Sequence, residues 1–279
     1  MKNIGFGQYY PARSVIHAMD PRAKVICAII YIVSAFLCRN FYSFILLAVS
    51  AFVLIFISRV PVRTVLRSLR ALVFIMLFTA LLNVFWTSDA NSQPLLSFWI
   101  INIYAKGLFN ALFVIIRILA MVVGSSLFLT YTTTPIALTD AIESLLSPLK
   151  KIKVPVHEFA MMMTIALRFI PTIVDEADKI MSAQKARGSD FSTGSLAARV
   201  KALIPVIIPL FASSFRRAGE LATAMECRCY HGGEGRTRLR QLRFAPRDFI
   251  FMSLMLVLMI GSVIVLNIFG VKYGWVYTM

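Results

Sequence analysis

Long, uninterrupted runs of apolar residues constrain this chain more than any other feature of its sequence. Five such runs occur, at about 23–38, 41–58, 70–86, 107–131 and 248–269. A helix needs about 17 to 25 residues to cross a hydrocarbon core about 30 Å thick, and its backbone hydrogen bonds are then satisfied within the helix. Apolar residues make up 59% of the chain and charged residues 15%, unlike a soluble domain. The sequence therefore predicts an all-α integral membrane protein with about five transmembrane helices.

Basic residues predict which loops lie in the cytoplasm. Lysine and arginine are concentrated in the amino-terminal arm and in the loop at 59–70, whereas residues 87–98 contain neither. Because cytoplasmic loops carry the excess of Lys and Arg, we expect a multi-pass protein of the cell membrane with a cytoplasmic amino terminus. These loops also account for the net charge of +16, which we attribute to contact with the lipid bilayer and not to nucleic acid.

The first apolar run is predicted to begin as a capped helix and to stay in the mature protein. Asp20 can accept hydrogen bonds from the first turn, and Pro21 suits the first helical position. No small-residue cleavage site follows the run, so we interpret it as a span and not as a signal peptide. Arg117, midway along the fourth run, either faces a partner or wet crevice or is paired within the bundle.

The pattern changes after the fourth run, which predicts three segments. Membrane helices occupy residues 1–131, a cytoplasmic or interfacial coupling region occupies residues 132–247, and a last transmembrane helix lies in residues 248–279. Within the middle segment, the apolar stretches at 159–170 and 203–215 hold about a dozen residues each and are flanked by Lys or Arg. They therefore either dip into the bilayer or lie along its inner surface.

Each of these short stretches continues into an amphipathic helix, with apolar residues recurring at three and four steps. Pro171 is predicted to bend the first helix, and Pro205 with Pro209 the second, because proline removes a backbone donor and crowds the carbonyl four residues back. Gly188 ends the first helix, and the Gly232–Gly233 pair stops the second.

Two arginines, Arg187 and Arg228, occupy the last turns of these helices, 41 positions apart. A cation there complements the partial negative charge of a helix end, worth about 0.3 to 1 kcal/mol, and this simpler interpretation suits either arginine alone. The repetition on two amphipathic helices favours a second hypothesis, a pair of cationic contacts for a partner with two similar acidic grooves. A guanidinium suits this role because it can meet a carboxylate through two hydrogen bonds.

The remaining polar residues predict no catalytic residue, no cofactor and no metal site. The chain has no GxxxxGK[ST] phosphate loop, so we do not expect it to hydrolyse ATP. Four cysteines include one Cys-x-Cys pair but no second pair to complete a zinc site. His157 and Glu158 are adjacent without further matching ligands, which favours a role at a helix start.

Three segments resemble the transmembrane T component of energy-coupling factor (ECF) vitamin and metal transporters: "GQYYPARSVIHAMDPRAKVI", "QKARGSDF" and "AMECRCYHGGEGRTRL". The resemblance covers essentially the whole chain. In that family two Ala-Arg-Gly motifs close cytoplasmic coupling helices, and their arginines engage two ABC-type ATPase subunits. By position, the first motif is Ala186-Arg187-Gly188. The second is Cys227-Arg228-Cys229, where two cysteines replace Ala and Gly.

The resemblance implies a mechanical function. Closure of two ATPase subunits on ATP would move the docked helices, with Pro171, Pro205 and Pro209 as the coupling hinge, and tilt a small membrane-embedded S component that binds the substrate. A stand-alone secondary carrier is the main alternative, and it predicts paired intramembrane charges or broken helices in two repeats, which the sequence lacks. A membrane enzyme would need a cluster of His, Asp or Glu at one membrane face. The resemblance also implies that another polypeptide, the S component, determines the cargo.

Overall fold

The structure, a computed structural model, describes residues 9–38, 41–86, 96–98, 101–189, 191, 195–232 and 241–262. The helices along these residues are α1 (Pro21–Leu37), α2 (Phe41–Ser58), α3 (Val62–Arg70), α4 (Val73–Trp86), α5 (Ala105–Ser125), α6 (Pro135–Leu145), α7 (Val156–Ala186), α8 (Leu196–Glu226) and α9 (Pro246–Ile260). A π-helical stretch, Ser126–Tyr131, continues α5, and a 3-10 helix, Ser147–Ile152, follows α6. The predicted all-helical class is confirmed.

A short hairpin is the only regular secondary structure other than helix among the residues that the structure describes. Strand β1 (Leu96–Phe98) pairs antiparallel with β2 (Ile101–Ile103), in the register Leu96 opposite Ile103. This hairpin was not predicted from the sequence, because three-residue strands leave almost no periodic signal.

The predicted count of about five spans is not confirmed by the residues that the structure describes. By length and composition, three described helices could cross a membrane: Gly107–Tyr131, Val156–Ala186 and Arg199–Glu226. The count reaches four if α3 and α4, bent by 63° at their junction, form one broken span. The predicted runs at 23–38 and 41–58 form helices of only 17 and 18 residues, about 26 Å long at 1.5 Å per residue. The run at 248–269 is described only as far as residue 262.

The chain forms two compact units. The first comprises Met1–Ala141 with Gln241–Met279, and the second comprises Ile142–Arg240. The division into segments 1–131, 132–247 and 248–279 stays a prediction, as does the cytoplasmic position of α7 and α8.

The first unit is built around α1 and α5, against which α2, α4 and α9 pack. Tyr31 is fully buried, and its hydroxyl donates to the Leu47 carbonyl at 3.3 Å. Gly124 of α5 lies directly against the Tyr31 ring, so that a Cβ at residue 124 would come within 2.2 Å of a ring carbon. Glycine is therefore required at 124 by close helix packing.

Buried charges hold the amino-terminal end of α1 in this unit. Asp20 caps α1 as predicted, accepting from the Arg22 amide at 2.9 Å. Lys24 is 2% exposed and donates from Nζ to the Thr132 carbonyl at 2.7 Å. Asp248, at the start of α9, accepts from the amides of Asp20 and Ala245 at 3.2 and 2.8 Å. Each buried charge therefore has hydrogen-bond partners, as burial requires.

Arg117 is paired within the bundle, which resolves the two alternatives left open by the sequence. Its guanidinium donates from Nη2 to the Cys38 carbonyl at 2.9 Å, at the carboxyl end of α1. The same group lies 5.2 Å from the centroid of the Phe44 ring. A cation placed at a helix carboxyl end and over an aromatic face gains from both contacts.

The second unit contains two 31-residue helices, α7 and α8, which pack against each other. An apolar cavity of about 260 Å³ lies between them, with Phe169 on α7 and Leu221 on α8 among its walls. Pro171 lies inside α7, and Pro205 and Pro209 lie inside α8; both helices continue past them. The hinge role of these three prolines stays a prediction.

Candidate functional site

The carboxyl end of α7 closes at the first predicted motif. The Arg187 amide donates to the carbonyls of Ala183 and Gln184, at 3.2 and 3.1 Å. Gly188 adopts a left-handed backbone, with φ of 91°, and its amide donates to the Lys185 carbonyl at 3.0 Å. The Ser189 amide then reaches back to the Gln184 carbonyl at 3.0 Å. These paired bonds around a left-handed residue form a Schellman cap, which satisfies the last carbonyls of the helix.

The carboxyl end of α8 closes in the same way. Cys229 takes the left-handed backbone, with φ of 54°, and its amide donates to the Glu226 carbonyl at 2.9 Å. The Tyr230 amide reaches back to the Met225 carbonyl at 3.0 Å. The Gly232–Gly233 pair predicted that this helix stops there; the helix instead ends at Glu226, with the left-handed turn at Cys229.

The two caps are equivalent residue by residue. Each residue of the first cap has its counterpart 41 positions later in the chain. This spacing holds for the left-handed residue, for the amide that reaches back, for the carbonyl that accepts from it, and for Arg187 and Arg228. The cysteines of the second motif therefore do not prevent the Schellman cap. All six motif residues are exposed: Ala186, Arg187, Gly188, Cys227, Arg228 and Cys229. Each guanidinium thus extends from a fixed, solvent-accessible helix end.

A polar contact relates the two helices further back along their length. Arg217 of α8 donates from Nη2 to Oε2 of Glu176 on α7 at 2.6 Å, and these two side chains are 38% and 23% exposed. The residues of this pair are again 41 positions apart. The sequence did not predict this pair; the spacing of 41 that it shares with Arg187 and Arg228 was the signal that could have done so.

Arg187 and Arg228 lie equally far from the Glu176–Arg217 contact, measured along their own helices. Glu176 precedes Arg187 by 11 residues, and Arg217 precedes Arg228 by 11 residues. At 1.5 Å per residue, each end lies about 16 Å along its helix from the contact. The prolines do not share this equivalence, because Pro171 lies 16 residues before Arg187 whereas Pro205 and Pro209 lie 23 and 19 residues before Arg228.

His157 makes a pair of a different kind. Its Nδ1 lies 2.9 Å from Oε1 of Glu143, which is 7% exposed. Across the described ranges, no three His, Cys, Asp or Glu side chains come together as a metal site would require. The expectation that the chain holds no metal stays a prediction.

Comparison with known proteins supplies the family context for this geometry. The profile of the family described as "CbiQ: Cobalt transport protein" matches residues 12–239. A protein of Clostridium kluyveri named "Energy-coupling factor transporter transmembrane protein EcfT" is 48% identical over 264 residues, covering 95% of this chain and 97% of its own. Proteins of the same name from Ruminiclostridium cellulolyticum and Bacillus subtilis are 47% and 43% identical, over 96% and 89% of this chain and 99% and 92% of their own lengths.

Proposed function

We propose, since this chain belongs to the CbiQ family and is a transmembrane component of an ECF transporter, that it couples two ABC-type ATPase subunits to a substrate-binding S component. In this proposal ATP-driven movement of the ATPases passes through α7 and α8 to the S component, which takes up a vitamin or a metal ion. The ATPase activity belongs to the partner subunits. The protein lies in the cell membrane with its amino terminus in the cytoplasm.

The observation that carries this proposal is the equivalence of the two capped helix ends. A partner made of two similar subunits presents its binding surface twice, and it requires two contacts of the same shape and charge. Arg187 and Arg228 meet that requirement, because each lies in the same kind of cap, one residue before the left-handed position, and each is exposed. An arginine that served only to complement the dipole of its own helix would need no counterpart on a second helix. It would also have no reason to lie as far from the Glu176–Arg217 contact as that counterpart does.

The mechanical step uses the length of the two helices and their contact. Each ATPase would hold one arginine through a charge-assisted hydrogen bond to a carboxylate. When the ATPases approach each other, the ends of α7 and α8 move together and the helices rotate about the Glu176–Arg217 contact. Pro171, Pro205 and Pro209 lie on the far side of that contact from the ends, where the missing backbone bonds make a helix easier to bend.

The test is co-purification of ATPases with a charge-reversed protein. The double variant Arg187→Glu with Arg228→Glu, expressed with the ATPase and S subunits, is expected to insert into the membrane and to lose both ATPase chains in mild detergent. The reversal replaces attraction to an acidic groove by repulsion, and like-charge contacts at an interface cost several kcal/mol.

A matched control reverses two other exposed cations of the same helices, Lys179→Glu with Arg216→Glu. This control is expected to keep both ATPase chains. Full assembly and uptake by the Arg187→Glu, Arg228→Glu variant would contradict the proposal and leave the arginines as helix caps. A clean monomer that transports substrate alone would favour the secondary carrier instead.

A further inference from the structure

A basic cavity outside the coupling helices has no role in the proposed function. It opens in the first unit between the amino-terminal arm and the end of α2, with a volume of about 620 Å³. Arg13, Ser14 and His17 line it from the arm, and Phe56, Ile57 and Arg59 line it from the end of α2. None of its lining residues is acidic. The cavity therefore has the charge of an anion site.

The arm that forms one wall is firmly anchored. The Tyr10 amide donates to the Tyr131 carbonyl at 3.0 Å, and Arg247 donates to the carbonyl of Ala18 beside the cavity. Ile16 and Met19, on either side of His17, are 0% and 3% exposed. A wall fixed by backbone bonds and buried side chains loses little entropy when a ligand enters, which favours binding.

His17 shapes the wall without adding charge. A carbonyl can only accept, so Nε2 donates to the Tyr10 carbonyl at 2.9 Å, and Nδ1 is left to accept from the Ser14 hydroxyl at 2.7 Å. Burial lowers the pKa of His17, and the nearby charge of Lys24 lowers it further. The cavity's positive charge at neutral pH therefore comes from Arg13 and Arg59.

Arg59 occupies an unusual backbone conformation at the mouth of this cavity. Its φ is 55°, in the left-handed region, where a residue with a side chain is strained. Glycine would fit there without strain, yet the position carries a guanidinium. Both Arg13 and Arg59 are exposed, and neither has an acidic partner among the residues that the structure describes.

An apolar surface leads away from the cavity along α2. Phe52 and Phe56 are 61% and 65% exposed, and their rings lie 4.8 Å apart. Val49 and Val53 continue the exposed surface toward the middle of the helix. The cavity thus combines two cations at one end of a helix with a hydrocarbon surface beside them, which is the chemistry of a phospholipid and not of a soluble anion.

We propose that this cavity binds an anionic phospholipid, with Arg13 and Arg59 on the phosphate and one acyl chain along Phe56 and Phe52. The lipid comes from the cytoplasmic leaflet, where anionic headgroups are concentrated and where the proposed orientation puts the end of α2. This site lies in the first unit, whereas the arginine ends of α7 and α8 belong to the second.

The test measures lipid binding to the full chain purified in a neutral detergent, by native mass spectrometry with added phosphatidylglycerol, phosphatidylcholine or inorganic phosphate. We expect saturable binding of one phosphatidylglycerol in preference to phosphatidylcholine, without competition from millimolar phosphate. Each lost arginine is expected to weaken binding about fivefold, since a basic residue near anionic headgroups contributes about 1 kcal/mol. The variant Arg13→Gln with Arg59→Gln should therefore bind about 25-fold more weakly.

Two further variants test whether lipid binding depends on the cavity arginines or on the charge of the neighbouring surface. Arg63→Gln with Arg67→Gln removes the same charge from the exposed face of α3 and should keep the site. Arg59→Gly relieves the strained backbone, so it should raise the unfolding temperature without lipid while weakening phosphatidylglycerol binding about fivefold. Equal weakening in the α3 variant, unchanged binding in the Arg13→Gln, Arg59→Gln variant, or full competition by inorganic phosphate would each overturn the proposal. ATPase assembly is not expected to change in any of these variants.

Discussion

The carboxyl ends of α7 and α8 have the same backbone hydrogen bonds but different residues at the decisive position. Gly188 turns the chain at the first end and Cys229 turns it at the second, both with positive φ. The left-handed conformation costs an L-residue with a Cβ roughly 1 to 2 kcal/mol, which glycine avoids. The second end therefore keeps its shape at an energetic cost that the first does not have. Because shape and arginine position are kept despite that cost, they are what we expect the partner to recognise.

The largest expected effect comes from reversing one arginine at a time. If the two ends are equivalent, Arg187→Glu and Arg228→Glu should each weaken ATPase binding by at least about 2 kcal/mol, or about 30-fold. Binding of purified ATPase to the protein in nanodiscs measures both losses. An unchanged affinity for either variant would show that only one end docks.

Exchanging the residues at the left-handed position tests the strain directly. Cys229→Gly is expected to stabilise the protein by about 1 kcal/mol, and Gly188→Cys to destabilise it by about 1 to 2 kcal/mol. The space around Gly188 is open, so a cost there would come from the backbone and not from a clash. Unfolding in detergent, followed by circular dichroism, measures both changes.

Cys227→Gly supplies the control for this exchange. The Cys227 amide still makes a helical bond, to the Thr223 carbonyl at 2.9 Å, so glycine there should destabilise by about 0.5 to 1 kcal/mol. If Cys229→Gly destabilised the protein as Cys227→Gly does, the strain at the second end would be disproved.

The contact between the helices is expected to contribute less. A double-mutant cycle with Glu176→Gln and Arg217→Gln should give a small favourable coupling energy, because both side chains are partly exposed and solvent screens the ion pair. The same four proteins should differ in uptake more than in stability if the contact is the pivot. Equal uptake in all four would remove the pivot from the mechanism.

The smallest effect distinguishes docking from simple helix capping. Neutral Arg187→Gln and Arg228→Gln variants lose only the interaction with the helix dipole in the isolated protein, worth about 0.3 to 1 kcal/mol each. Thermal unfolding of the isolated chain measures this loss. If their ATPase affinity fell by no more than the same amount, the arginines would have no special role at the interface.

The sequence predicted the parts of this protein that depend on local chemistry. The helical class followed from the long apolar runs, the start of α1 followed from Asp20 and Pro21, and the motif arginines followed from their position before a turn. Each of these depends on residues within one or two helical turns, so no knowledge of distant contacts was needed.

Only the tertiary structure decided which distant groups meet. It paired Arg117 with the end of α1, joined Glu176 to Arg217, and placed Arg13 and Arg59 in the walls of one cavity. It also ended α8 at Glu226 with a left-handed turn at Cys229, whereas the sequence had predicted that the helix stops at Gly232 and Gly233. In each case the deciding interaction comes either from residues far apart in the chain or from a hydrogen-bonded cap strong enough to override a residue's own backbone preference.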